Sequence, residues 1–237
     1  MHMVTDYHSH IIPGVDDGSK NMEMSLGMIK QLKRQGVERI AATPHFYSHR
    51  EPGGVNAYLD RRNDAYYSLL AQAPAVKDIR IGAEIAIEKG VSELEGIEQL
   101  AISGTNLILM ELPYAPYADW MGEEVYNLSC TYDLMPIIAH LNRYTEWYSK
   151  SDFEKVLSFD AVFQFNAEAF EHFDSRRFVS KLIKSGIPYC LGTDTHDLSD
   201  RKPNFDSITK KEKPGSGLVD KSDRIMDEYA LKKEPLF

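Results

Sequence analysis

The sequence predicts an α/β fold on parallel strands, a seven-stranded barrel or near-barrel, and three observations carry that expectation. Short β-type apolar runs alternate with stretches of helical spacing seven times along the chain, the pattern of parallel strands joined by crossover helices. With 237 residues and 43% hydrophobic content, the chain can bury one core of barrel size, and no shift in composition marks a second domain. Residues able to carry chemistry fall at one end of the apolar runs, where α/β barrels carry theirs.

Residues 4–8 form the first expected strand. Residues 21–35 read as a helix, with Met22, Leu26, Ile29 and Leu32 at helical spacing and Gly36 as the stop. A second strand over 37–43 closes on Pro44-His45, and a loop with Pro52-Gly53-Gly54 leads into a helix over 55–72. The third strand, 79–83, ends at Glu84, and a weaker helix covers 92–101. Residues 106–112 are apolar except for Glu111 and read as a strand buried on both faces. The second half repeats the alternation: helix 119–132, strand 135–139 running into His140, helix 152–158, and strand 161–165 running into Asn166. Helix 176–185 is stopped by Gly186, and strand 187–192 leads to Asp194 and His196. Residues 197–221 are polar, with Pro203, Pro214 and Gly215-Ser216-Gly217, and are expected to be a mobile loop with solvated lysines; a closing helix over 224–232 follows.

Composition narrows the function. A formal charge of −9 argues against a general nucleic-acid binder. There is no run of eighteen apolar residues and no charged-then-apolar signal pattern, so the expectation is a cytoplasmic chain that is not itself a membrane protein. Cys130 and Cys190 are too few for a disulfide framework and are expected to be reduced packing residues.

In Asp6-Tyr7-His8-Ser9-His10, strand alternation turns Asp6, His8 and His10 the same way, so two imidazoles can grip one ion. The turn Val15-Asp16-Asp17-Gly18 brings a carboxylate towards the same mouth. Later strand ends deliver His45, Glu84, Glu111, His140, Asn166, Asp194 and His196. Leaving out Asn166, the ligand candidates are nine: His8, His10, His45, His140, His196, Asp17, Glu84, Glu111 and Asp194. Nine exceeds what one catalytic ion takes from a protein and suits a cluster of two or three, with Glu84 or Asp194 placed to bridge. Three divalent ions facing four carboxylates leave positive charge over, which favours an anionic substrate. Imidazole and carboxylate without thiolate suits Mn, Fe or Zn. Glu111 within an apolar strand needs a partner for its charge. Asn166 reads either as a helix cap or as a substrate contact; Tyr114, Tyr117 and Trp120 read as packing residues before a stacking surface; and His2, His49 and His172 read as surface residues.

These motifs, with Thr43-Pro44-His45, Gly82-Ala83-Glu84, Ile138-Ala139-His140 and Asp194-Thr195-His196, resemble the PHP (polymerase and histidinol phosphatase) superfamily of metal-dependent phosphoesterases. Within it the chain is most similar to the bacterial tyrosine-protein phosphatases of capsular and exopolysaccharide operons. The resemblance implies a distorted TIM-like (β/α)7 barrel and a single phosphatase domain over 1–237. It implies three divalent ions, foremost Mn, held by His8, His10, Glu84 and Asp194; by Glu84, Glu111 and His140; and by Asp17, His45 and His196. It also implies phosphate-contacting, catalytic Arg143 and Arg201, and as partner the phosphotyrosine tail of a polysaccharide-biosynthesis tyrosine kinase. The alternative is a small-molecule phosphomonoesterase of the superfamily, such as one for histidinol phosphate. Either is a metal-dependent phosphoric monoester hydrolase in which activated water attacks phosphorus directly, and an aryl leaving group with a pKa near ~10 needs little general acid. A cysteine-based phosphatase needs an arginine six positions after the nucleophile, and those positions hold Pro136 and His196.

Overall fold

The computed structural model describes residues 3–73 and 78–231. Its strands are β1 (Thr5–Ser9), β2 (Arg39–Ala42), β3 (His45–Phe46), β4 (Asp78–Ile81), β5 (Glu84–Ala86), β6 (Leu107–Glu111), β7 (Met135–Ile138), β8 (Val162–Asn166) and β9 (Tyr189–Gly192). They pair in the orders β1-β2-β4 and β3-β5-β6-β7-β8-β9, parallel at every interface.

β2 and β3 are two parts of one strand path, interrupted at Thr43-Pro44, where proline has no N–H to give the ladder. β4 and β5 are similarly separated at Gly82-Ala83, where Arg62 Nη1 takes the Gly82 carbonyl at 2.9 Å. Backbone bonds span both breaks, from Gly82 N to Ala42 O at 2.9 Å and from Glu84 N to Pro44 O at 3.1 Å. The ring closes between β1 and β9. Ser9 bridges Thr195 in parallel, Asp194 N donates to His8 O at 2.7 Å and His10 N to Thr195 O at 2.9 Å. Deeper in the seam, the buried Asp6 carboxylate accepts from Thr193 N (2.9 Å) and Thr193 Oγ1 (2.7 Å). Counting each broken strand once gives seven paths around a barrel, as the alternation predicts.

The helices are α1 (Met22–Arg34), α2 (Gly54–Leu70), α3 (Asp119–Tyr132), α4 (Lys150–Leu157), α5 (Phe173–Lys184), α6 (Asp206–Thr209) and α7 (Leu218–Glu228). α1 shows why its sequence is helical: Asn21 caps it by accepting from Met24 N, and Met28, Ile29 and Leu32 turn one apolar stripe onto the barrel. Among the described residues no helix is long and apolar enough to cross a membrane.

Four expectations change. Residues 92–101 form two short 3₁₀ turns, Val91–Glu93 and Ile97–Leu100, instead of a helix. Gly90 and Gly96 hold left-handed backbone before each turn, and Glu124 takes the Gly90 and Ser92 N–H groups. The stretch expected as a loop over 197–221 contains α6 and the start of α7, because Phe205 and Ile208, isolated apolar residues in a polar run, are fully buried. The closing helix accordingly starts at Leu218; Lys232, its expected end, lies outside the described residues, as does His2. Cys190 is buried in the barrel, but Cys130 is exposed on α3 and is not a core residue.

One apolar cluster fills the ring and another lies between strands and helices. α7 closes the amino-terminal end of the ring with Ile225 and Met226, pinned by Tyr7 Oη, which donates to Ser222 O at 2.9 Å and accepts from Met226 N at 2.7 Å.

On the same helix Asp223 accepts from Thr5 N through Oδ1, while its buried Oδ2 has no hydrogen-bond partner among the described residues. Burial pushes this carboxyl up to about 7 from 3.8. A folded-state value above the unfolded one means stability that is complete below the unfolded value and is lost as pH rises through the folded one. We expect Asp223→Asn, neutral throughout, to gain stability over the parent between pH ~5 and ~8, reaching about 1–2 kcal/mol. Urea unfolding at the two pH values checks this; a gain that does not change with pH would exonerate the charge.

Candidate metal centre

Strand alternation builds the site. Ala41, Leu107, Leu109, Val162 and Cys190 belong to the cluster inside the ring. Two-residue steps towards the carboxyl ends keep the inward face and reach polar groups: Glu111 after Leu109, Gln164 and Asn166 after Val162, Asp194 beyond Cys190 and Gly192, His45 beyond Ala41 and Thr43. Gly192 is there because a Cβ would lie 2.8 Å from His8 Cβ and 3.0 Å from Gln164 Nε2.

The structure brings all nine ligand candidates to this mouth. Donor atoms of His8, His10, Glu84 and Asp194 lie within 4.8 Å of one another, as do those of His10, Asp17, His45 and His196, and those of His45, Glu84 and Glu111. His140 Nε2 joins them 3.0 Å from Glu84 Oε1 and 3.3 Å from Glu111 Oε1. The first group equals the first set implied by the resemblance; the others differ in that His10 stands with the third set and His45 also beside Glu84 and Glu111. Asp17 sits on the rim, 67% exposed and 3.6–3.7 Å from His196 and His45.

Glu84 is the hub. Its fully buried carboxylate has His8 Nε2, His45 Nδ1 and His140 Nε2 at 3.0 Å and His10 Nε2 at 3.3 Å. Burial works to raise its pKa, but His8 and His45 first among its neighbours hold it well below the usual carboxylate range. Asp194 is likewise buried and held low, chiefly by His8, His10 and Arg143. In the other direction, burial disfavours the His140 cation, yet Glu111 and Glu84 push it up to about 9 from 6.5. These carboxylates thus draw a proton onto the imidazole in the role a cation fills.

Several of these closely spaced atoms make no hydrogen bond among the described residues. Three of the five buried side-chain polar atoms lacking a hydrogen bond among the described residues are His45 Nδ1, Glu84 Oε2 and His196 Nε2. Lone pairs that converge on one buried spot without making hydrogen bonds fit metal ions, and the oxygen and imidazole donors fit Mn, Fe or Zn.

The surrounding shell sets the tautomers. His8 Nδ1 is 3.2 Å from Gln164 Oε1, His10 Nδ1 2.6 Å from Asp16 Oδ2, and His196 Nδ1 2.9 Å from Asp194 O. Each acceptor fixes the proton on Nδ1 and leaves the Nε2 lone pair facing the cage. Asp16 also accepts from Gly18 N and His45 N, and Gln164 Oε1 from His140 N at 2.6 Å. Gln164 Nε2 donates to Asn166 Oδ1, whose Nδ2 donates to Asp194 Oδ2 at 3.1 Å. Sequence reading missed Asp16 and Gln164. The inward parity of β8 was the available signal for Gln164; nothing local distinguishes Asp16 from Asp17. Asn166 makes no side-chain cap and holds Asp194 instead. His140 and Asp194 have positive φ, 32° and 54°, a costly backbone for non-glycine residues.

Arg143 and Arg201 flank Asp194. Arg143 Nη1 lies 2.7 Å from Asp194 Oδ2, with its Nε on Glu168 at 2.8 Å; Arg201 Nη2 meets both Asp194 oxygens at 2.8 and 2.9 Å. They line a cleft of about 170 Å³ with Thr193, Lys202 and Asn204. Tyr114 stacks beside His140 (5.8 Å, 21°), whereas Tyr117 packs edge-on against Tyr148 and Trp120 joins the outer core. His49 and His172 are exposed as expected.

With that geometry in view, comparison with known proteins is specific. The family of capsular polysaccharide synthesis, CpsB/CapC, matches residues 4–221. The tyrosine-protein phosphatase CpsB of Streptococcus pneumoniae is 26% identical over 227 residues, covering 87% of this chain and 90% of its own. The tyrosine-protein phosphatase YwqE of Bacillus subtilis is 30% identical over 145 residues, 60% of this chain and 55% of its own. A solved structure from work on YwqE of Bacillus subtilis and CpsB of Streptococcus pneumoniae, described as unique metal-dependent tyrosine phosphatases, superposes with a TM-score of 0.73 at 21% identity, over 98% of this chain and 97% of that one.

Gln164 touches two imidazole-bearing residues without facing the cage as a donor. Gln164→Ala should weaken Mn(II) binding by about 10–100-fold in calorimetric titration while the fold, read by circular dichroism, is retained. Unchanged affinity would remove Gln164 from the site's supporting shell.

Proposed function

The chain belongs to the CpsB/CapC family of capsular polysaccharide synthesis, and from that membership and the donor cage we propose that it is a metal-dependent tyrosine-protein phosphatase. The observation that carries the reading is the buried Glu84 carboxylate ringed by four imidazoles, with atoms of Glu84, His45 and His196 that make no hydrogen bond among the described residues. We assign metal ligation to His8, His10, Asp17, His45, Glu84, Glu111, His140, Asp194 and His196, for three divalent ions with Mn foremost. Residues 1–237 are read as one phosphatase domain. Its proposed partner is the phosphotyrosine tail of a polysaccharide-biosynthesis tyrosine kinase, met in the cytoplasm.

Divalent ions bound there would lower the pKa of water towards neutrality and neutralise phosphoryl charge. The chain's own residues do the rest. Asp16 and Gln164 keep protons on Nδ1 of His10 and His8, so that both rings present lone pairs. Arg143 and Arg201, already oriented by Asp194 and Glu168, offer paired N–H groups to the phosphoryl oxygens from the cleft wall. Tyr114, beside His140, lines the approach of an aryl group. No cysteine takes part: Cys190 is buried in the ring, and burial pushes its thiol well above the usual range.

Two measurements test the reading. Chelation should abolish hydrolysis of a phosphotyrosine peptide and thiol alkylation should leave it intact; the reverse pattern would overturn it. Turnover of histidinol phosphate exceeding that of the peptide would transfer the site to the small-molecule phosphatases. Arg201→Lys, which loses the planar fork, should lower kcat/KM on the peptide by about tenfold or more; an unaltered kcat/KM would exclude Arg201 from phosphate contact.

A further inference from the structure

Against β9 runs a second concavity that the phosphatase site does not use. It has a volume of about 760 Å³ and lies between α5 and the segment 211–221. Phe173, Arg177, Ser180 and Lys184 line it from α5, and positions i, i+4, i+7 and i+11 form one helical stripe. The facing wall supplies Lys211, Lys213 and Lys221, while Phe170, Tyr189 and Leu218 give an apolar floor.

Its charge is opposite to that of the molecule. The chain carries 36 acidic against 27 basic residues, yet this lining holds six cations, Arg176 included, and one acid, Glu212. Glu212 is already engaged, its Oε1 accepting from Leu218 N at 2.7 Å and Ser216 Oγ at 3.1 Å. Among the described residues no ion pair ties down Arg177, Lys184, Lys211, Lys213 or Lys221. Phe173, the first residue of α5 and one end of this stripe, is 66% exposed.

The groove and the arginine cleft take lining residues from one turn of the chain. Phe170 lines the groove and its neighbour Glu171 lines the arginine cleft, on the turn that follows Asn166, which holds Asp194. Along α5 the trough extends about 17 Å, roughly five extended residues.

We infer that this groove is a docking site for an acidic polypeptide segment of the phosphorylated substrate, lying about five residues or more from the phosphotyrosine. The inference rests on the phosphatase reading for its substrate and on the groove's own charge for its ligand. A bilayer surface cannot reach an apolar floor between α5 and the segment 211–221, and a trough about 17 Å long suits a single extended chain. Rim charges of this kind set encounter and KM rather than the chemical step.

The test uses the full-length, metal-loaded protein and the triple variant R177E/K184E/K213E. A fluorescent unphosphorylated peptide rich in glutamate, read by anisotropy, should bind the parent and lose about tenfold or more in affinity on the variant and in raised salt. This arm needs no turnover, so it decides the docking site even if the phosphatase reading fails. In the kinetic arm, kcat/KM on an acidic phosphotyrosine peptide should fall through KM, with p-nitrophenyl phosphate and a glutamine-for-glutamate twin unaffected. An equal loss on the twin, or no binding of the acidic peptide to the parent, would overturn the inference. So would single-stranded oligonucleotide or phosphatidylglycerol vesicles binding the groove in place of the peptide.

Discussion

A buried carboxylate cannot stay charged without compensating positive charge, and Glu84 is where this protein meets that constraint. Four imidazoles stand within 3.3 Å of it, brought from β1, the residue opening β3 and the end of β7. None of these elements is adjacent in sequence to all the others. The seven-path ring is what superimposes their ends, and the Asp6–Thr193 and Ser9–Thr195 contacts that close it also bring Asp194 to His8 and His10. Closure of the barrel and assembly of the site are therefore one event, and damage to the β1–β9 seam reaches both.

Around the cage the polar side chains form a connected layer rather than isolated contacts. Gln164 joins His8 to His140, Asn166 joins Gln164 to Asp194, and Asp16 joins His10 to the backbone of Gly18 and His45. A network in low dielectric is worthwhile only when its members are satisfied, and here the unsatisfied atoms are those directed inward. The left-handed backbone at His140 and Asp194 belongs to the same economy of position: it turns each side chain at the end of its strand where a regular extension would not. The groove along α5 adds a contrast of sign, since an acidic chain that gathers unpaired cations on one wall is repelled by most acidic surfaces except at that wall.

The sequence by itself determined the alternation of strands and helices, the inward parity that sends Glu111, Asp194 and His45 into the mouth, and the nine donors. Those are consequences of periods of 2 and 3.6 residues, which are local. It did not determine that residues 92–101 would be two 3₁₀ turns or that 197–221 would pack, because Gly96 breaks the helical period and Phe205 and Ile208 are buried by distant neighbours. Only the tertiary structure decided that Asp16 supports His10 while Asp17 stays on the rim, that β8 contributes Gln164 and Asn166 as supports, and that both arginines meet at Asp194. The reason is geometric: two adjacent aspartates in a turn are alike until His10 arrives from one side, and a glutamine inside a strand acquires a role only when closure of the ring sets it between two histidines.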